Sequence, residues 1–109
     1  MKNMHGLQEA RFRKIEVIIK GKPTTILAEL KTFFDPQKKF EIFRYATMRF
    51  ALVKAGTSKV VLQDCSYICT VKNGMATYWD TKGQWGLLNE RGQVICEAGE
   101  IKSSRKPSK

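Results

Sequence analysis

Apolar and polar residues alternate along most of this chain with a period of two. From Phe12 to Lys20, FRKIEVIIK, the residues Ile15, Val17 and Ile19 fall on one side. Gly21-Lys22-Pro23 breaks the run. TTILAELKTF then resumes it, with Ile26, Ala28 and Leu30 on one side and Leu27, Glu29 and Lys31 on the other. Side chains two residues apart line one face of a strand, so two such runs about a Gly/Pro break predict an antiparallel hairpin. Beyond Gly56-Thr57-Ser58 come KVVLQD, SYICTVK, the dipeptide Asn73-Gly74 and MATYWD. Asn-Gly between alternating runs predicts a two-residue hairpin, because a type I′ turn needs positive φ at both central positions. A further pair, WGLL and QVICE, flanks the turn Asn89-Glu90-Arg91-Gly92.

The stretch between 35 and 56 admits two readings. Asp35-Pro36 has the form of a helix N-cap and first position, and Gly56 that of a stop. On a helical wheel, however, its apolar residues form no stripe. At period two they sort: Phe40, Ile42, Ala46, Met48, Phe50 and Leu52 share a side interrupted only by Arg44. Glu41, Phe43, Tyr45, Thr47, Arg49, Ala51 and Val53 take the other. The period and the aromatic and β-branched content predict two strands, 39–45 and 47–54, with a helix at 36–55 as the alternative. The expected fold is all-β, a small antiparallel barrel or sandwich of seven or eight short strands; an α+β fold with one helix is the alternative. Residues 1–101 are expected to form one domain, frayed over 1–10, and 102–109 a disordered basic tail.

One segment resembles a known family. Gly83-Gln84-Trp85-Gly86-Leu87-Leu88-Asn89-Glu90-Arg91-Gly92-Gln93-Val94-Ile95 is similar to a single unit of the WG-repeat family, over about 13 of 109 residues. The resemblance implies a hairpin in which Trp85 buries its ring beside a glycine. Preceding units of an array are absent.

With 109 residues, the chain can bury roughly two-thirds of its unfolded surface in one core. No run approaches the roughly 20 apolar residues that span a bilayer, so no membrane association is expected. MKNMHGLQEARFRK lacks the apolar stretch of an export signal, which points to a cytoplasmic protein. The three cysteines, Cys65, Cys69 and Cys96, are an odd number and are expected to be reduced. Cys65 and Cys69 would lie about 13 Å apart on a strand, and the only histidine is His5. Neither a metal nor any other cofactor is expected.

Charge changes the picture most. Lys and Arg number 20 against 10 Asp and Glu, a net of +10. Residues 1–59 hold 13 basic and 5 acidic side chains, residues 60–100 hold 3 and 5, and the last nine residues add four cations. Such polarity suits an anionic partner: nucleic acid, DNA and RNA not being distinguished, or an acidic protein surface.

Catalytic patterns are absent: there is no D-x-D, H-E-x-x-H or G-x-S-x-G, and no glycine-rich loop leads into a helix. A non-enzymatic domain is expected, with a metal-independent ribonuclease built on Arg44, Tyr45 and Arg49 as an alternative. Lys38, Lys39, Arg44, Arg49 and Lys54 are interleaved with Phe40, Phe43, Tyr45 and Phe50. Phe43, Tyr45 and Arg49 share a side, so that outward rings would stack on bases while cations meet phosphates. Arg11, Arg13, Lys14, Lys20 and Lys22 form a second basic group, and Arg105 and Lys106 lie in the tail. The other alternative is a small basic interaction module, an inhibitor or accessory factor of the phage or plasmid kind, docking on an acidic or nucleic-acid-handling protein. Trp79 and Trp85 are expected to pack in the core, the competing reading being a protein-binding hot spot. Oligomeric state is not legible from these patterns.

Overall fold

The computed structural model describes residues 11–99, and every regular element there is a β-strand. The strands are β1 (Phe12–Ile19), β2 (Lys22–Phe33), β3 (Phe40–Ala46), β4 (Arg49–Lys54), β5 (Val60–Ile68), β6 (Met75–Asp80), β7 (Trp85–Asn89) and β8 (Val94–Cys96). They form one antiparallel sheet in chain order, each strand pairing with the next. The fold is all-β, and the helix considered for 36–55 gives way to β3 and β4. The expectations for 1–10 and for the tail lie outside the described residues.

Both parities of β3 and β4 are apolar because both faces of these strands are covered. Phe43, Ala51 and Val53 join Ile15, Val17 and Ala28 in one core. Ile42 and Leu52, one residue away, join Phe34, Cys65, Ile68, Ala76, Tyr78 and Leu88 in another. A single sheet thus carries its N-terminal core on one face and its C-terminal core on the other, with β3 and β4 shared.

The N-terminal core is covered because β1 comes back onto β5. Glu16 N donates to Ser58 O at 3.1 Å. The Gln63 side-chain amide then takes the place of a strand partner, accepting from Ile18 N and donating to Ile18 O, both at 2.8 Å. Ile19, expected inside with Ile15 and Val17, is exposed beyond this seam. At the other core, Val71 N donates to Phe34 O at 2.9 Å, drawing the chain after β5 over the end of β2.

Turn chemistry follows the residues. Asn73 (φ 55°) and Gly74 (φ 81°) adopt the paired left-handed conformation expected of a type I′ turn. Lys20 (φ 52°) and Gly21 (φ 80°) do the same, so the first break falls one residue earlier than Gly21-Lys22-Pro23 suggests. In the hairpin of β7 and β8, a Cβ on Gly86 would lie 2.5 Å from Cys96 O and 2.8 Å from the Tyr78 ring. Only glycine admits that approach. The ring beside it behaves otherwise than expected, since Trp85 and Trp79 are half-buried and belong to neither core.

Candidate nucleic-acid interface

The cations predicted to form one surface are split by the β3–β4 hairpin. Phe40 pairs with Lys54 at its open end, and Ala46 pairs with Arg49 at its turn. Six residues at about 3.3 Å each separate the two groups by about 20 Å.

At the open end the backbone gathers four exposed lysines. Buried Asp35 accepts from Lys39 N at 2.9 Å and Phe40 N at 3.0 Å, while its carbonyl accepts from Lys38 N at 3.0 Å. This turn leaves both lysines outward, with Lys38 Nζ 5.3 Å from the Phe33 ring centroid. Ala55 N donates to Lys39 O at 3.0 Å, and Lys54 N to Lys59 O at 2.9 Å. Lys38, Lys39, Lys54 and Lys59 therefore sit on adjoining backbone segments.

Two of the three nearby carboxylates are engaged elsewhere. Glu41, with 6% of its side chain exposed, accepts from Arg13 at 2.6 and 3.3 Å and from Gly56 N at 3.1 Å. Asp35 is held by the two backbone amides. Glu16 lies across the bridge from Lys59 without forming an ion pair. Among the described residues, none of these four lysines forms an ion pair.

Several predicted contacts take structural roles instead. Arg13 is committed to Glu41, to Thr57 O at 3.3 Å and to the Phe43 ring at 5.1 Å, closing the mouth of the N-terminal core. Phe43 is 0% exposed and offers no ring to a base. The alternation placed it on an outward face, but β1 and β2 cover that face. Arg11 and Lys14 are exposed. Arg105 and Lys106 lie outside the described residues.

At the turn end, Arg44 approaches half-buried Glu29 no closer than 4.0 Å, a geometry that adds little. The Tyr45 hydroxyl donates to Asp64 Oδ1 at 2.6 Å and accepts from Asp64 N at 3.1 Å. Burial, and then the hydrogen bond to the Asp64 carboxylate, hold its acidity well below that of ordinary tyrosine. Arg49 donates to Met48 O at 3.3 Å. The phenol that a ribonuclease reading would use is thus bound up and hard to ionise. Among the described residues no three His, Cys, Asp or Glu are placed to hold a metal. Burial pushes the Cys65 thiol up to about 12.

Two features escaped sequence reasoning. Lys59 joins the basic end only through the fold of the turn between β4 and β5. Tyr67 is 52% exposed, and its ring meets Phe50, which packs against the edge of the C-terminal core. A register shift between Cys65 and Tyr67 puts Cys65 and Ile68 inward and turns Tyr67 out, whereas unbroken alternation would place Tyr67 beside Cys65. Tyr67 pairs with Trp79, and Trp79 with Trp85, so three aromatic residues cross β5, β6 and β7 in register. No family model, curated protein or solved structure matches this chain.

Proposed function

We propose that this protein is a non-enzymatic nucleic-acid-binding domain that meets phosphates at the end of the sheet bearing Lys38, Lys39, Lys54 and Lys59. One observation carries the reading: four exposed ammonium groups stand on adjoining segments, where the carboxylates of Asp35 and Glu41 are buried in other contacts and Glu16 alone lies exposed beside Lys59. A phosphate backbone gains from such a cluster chiefly by releasing condensed counterions. Surface charges farther apart than about 8 Å are largely screened at physiological salt, so the grouping matters more than the total of +10. Arg44 and Arg49, at the opposite end of the hairpin, would serve a second stretch of backbone.

Fluorescence anisotropy with labelled oligonucleotides tests this. Four phosphate contacts should cost roughly a hundred-fold in affinity between about 50 and 200 mM salt. The combined Lys38→Gln, Lys39→Gln, Lys54→Gln and Lys59→Gln variant should lose most of that dependence, while Arg44→Gln should change it by about one contact at most. Unchanged binding by the fourfold variant would place the interface elsewhere.

A further inference from the structure

We infer that the outward face of β5, β6 and β7 is a stacking platform for unpaired bases, which makes single-stranded nucleic acid the preferred ligand; this rests on the nucleic-acid reading above. The platform has a fixed centre. Tyr67 meets Phe50 edge-on, with ring centroids 5.5 Å apart at 71°, and lies 6.3 Å from Trp79 at 56°. A ring held between two others, yet 52% exposed, can receive a base without first being ordered.

Beside it opens a cleft of about 340 Å³, whose lining includes Phe50, Tyr67, Lys31, Lys72, Thr32 and Thr70. That volume is at the low end of the roughly 300–1,000 Å³ of small-ligand sites, which suits one base rather than a helix or a protein loop. Its composition suits a nucleotide as well: an apolar wall in which Ile42, Ile68 and Cys69 join the two rings for the base, two threonine hydroxyls for its polar edge, and two ammonium groups for the backbone. Among the described residues Lys72, which is exposed, makes no ion pair, and Lys31 has only a loose contact with Glu29 at 3.6 Å.

The choice between strand states follows from access. In a duplex, base faces are stacked on one another and cannot reach Tyr67. In a single strand they are free, and each base–aromatic stack is worth about 1–3 kcal/mol whatever the sequence. Residues 60–100 carry 3 basic and 5 acidic side chains, so at this face stacking, with Lys31 and Lys72 beside it, would contribute more than general attraction to polyanions.

The full chain is titrated with labelled dT12 and U12, with a 12-base-pair duplex, and with heparin, a polyanion that has no bases. Tighter binding of the single strands than of the duplex is expected. Tyr67→Leu should weaken dT12 about 5- to 150-fold and leave heparin unchanged, and Tyr67→Phe should retain dT12. In the unaltered protein, dT12 should quench the tryptophan fluorescence, which comes from Trp79 and its neighbour Trp85, and heparin should not, a readout that needs no variant. Duplex preference, absent quenching, or equal effects of Tyr67→Leu on dT12 and heparin would overturn the platform while leaving the lysine interface standing. If neither heparin nor any oligonucleotide binds, the nucleic-acid reading fails and the platform with it.

Discussion

Around the N-terminal core, β1 to β4 turn aliphatic side chains inward and leave lysine and arginine outside. Around the C-terminal core, β5 to β7 turn outward a row of aromatic residues, with few cations among them. The two halves share β3 and β4, whose alternate residues feed opposite cores. The comparison teaches that charge and ring surface, which strand alternation seemed to combine on one segment, are distributed to different parts of one sheet. Under the proposed function, phosphate contact falls to the first half and base contact to the second.

The sharing also means that damage to either core should be felt in both. Gly86→Ala is expected to have the largest effect. Its Cβ would meet Cys96 O at 2.5 Å and Ala98 N at 2.8 Å, backbone atoms that cannot yield cheaply, and a loss of more than about 3 kcal/mol is expected. Urea unfolding followed by tryptophan emission, which reports only the C-terminal half, should coincide with the transition seen by circular dichroism. Separate transitions would break the link through β3 and β4.

Arg13→Ala comes next. It strands the Glu41 carboxylate in the mouth of the N-terminal core. Because Arg13 itself is 35% exposed, a loss of about 2–3 kcal/mol is expected, short of the 3–5 seen for fully buried pairs. The double replacement Arg13→Leu/Glu41→Leu should recover much of it, and a double variant as unstable as the single one would contradict the pairing. Gln63→Ala should cost about 1–2 kcal/mol, because both Ile18 backbone groups lose a partner at a solvent-accessible seam. Faster exchange of the Ile18 amide proton would locate the change in β1. Met48→Gly is the smallest and opposite in sign. Met48 sits at φ 58° with its side chain exposed, and glycine should raise the urea midpoint by the equivalent of up to about 1 kcal/mol.

Much of the fold was legible because strand period and turn chemistry are local. Asn73-Gly74 announced its hairpin, and Ile15, Val17 and Ala28 lie inside as their alternation required. The candidate site was legible only in part, for three physical reasons. Alternation cannot say how many faces of a strand are covered, so Phe43 looked available when both faces of β3 are buried. Proximity along a hairpin is not proximity in space, so Arg44 and Arg49 stand apart from Lys39 and Lys54. An irregularity inverts parity, so Tyr67, one shifted register from the core, was not seen as a surface ring. Lys59 and Lys72 had no local pattern to mark them, since their neighbours come from distant segments.

The proposed function rests on the lysine end, and the slope of log affinity against log salt tests it most directly. For the unaltered chain with a single-stranded oligonucleotide the slope should be about −3 or steeper, at roughly −0.7 per phosphate on single strands, and the fourfold lysine-to-glutamine variant should flatten it by about 3. Equal slopes for the two proteins would show that Lys38, Lys39, Lys54 and Lys59 do not meet the phosphate backbone.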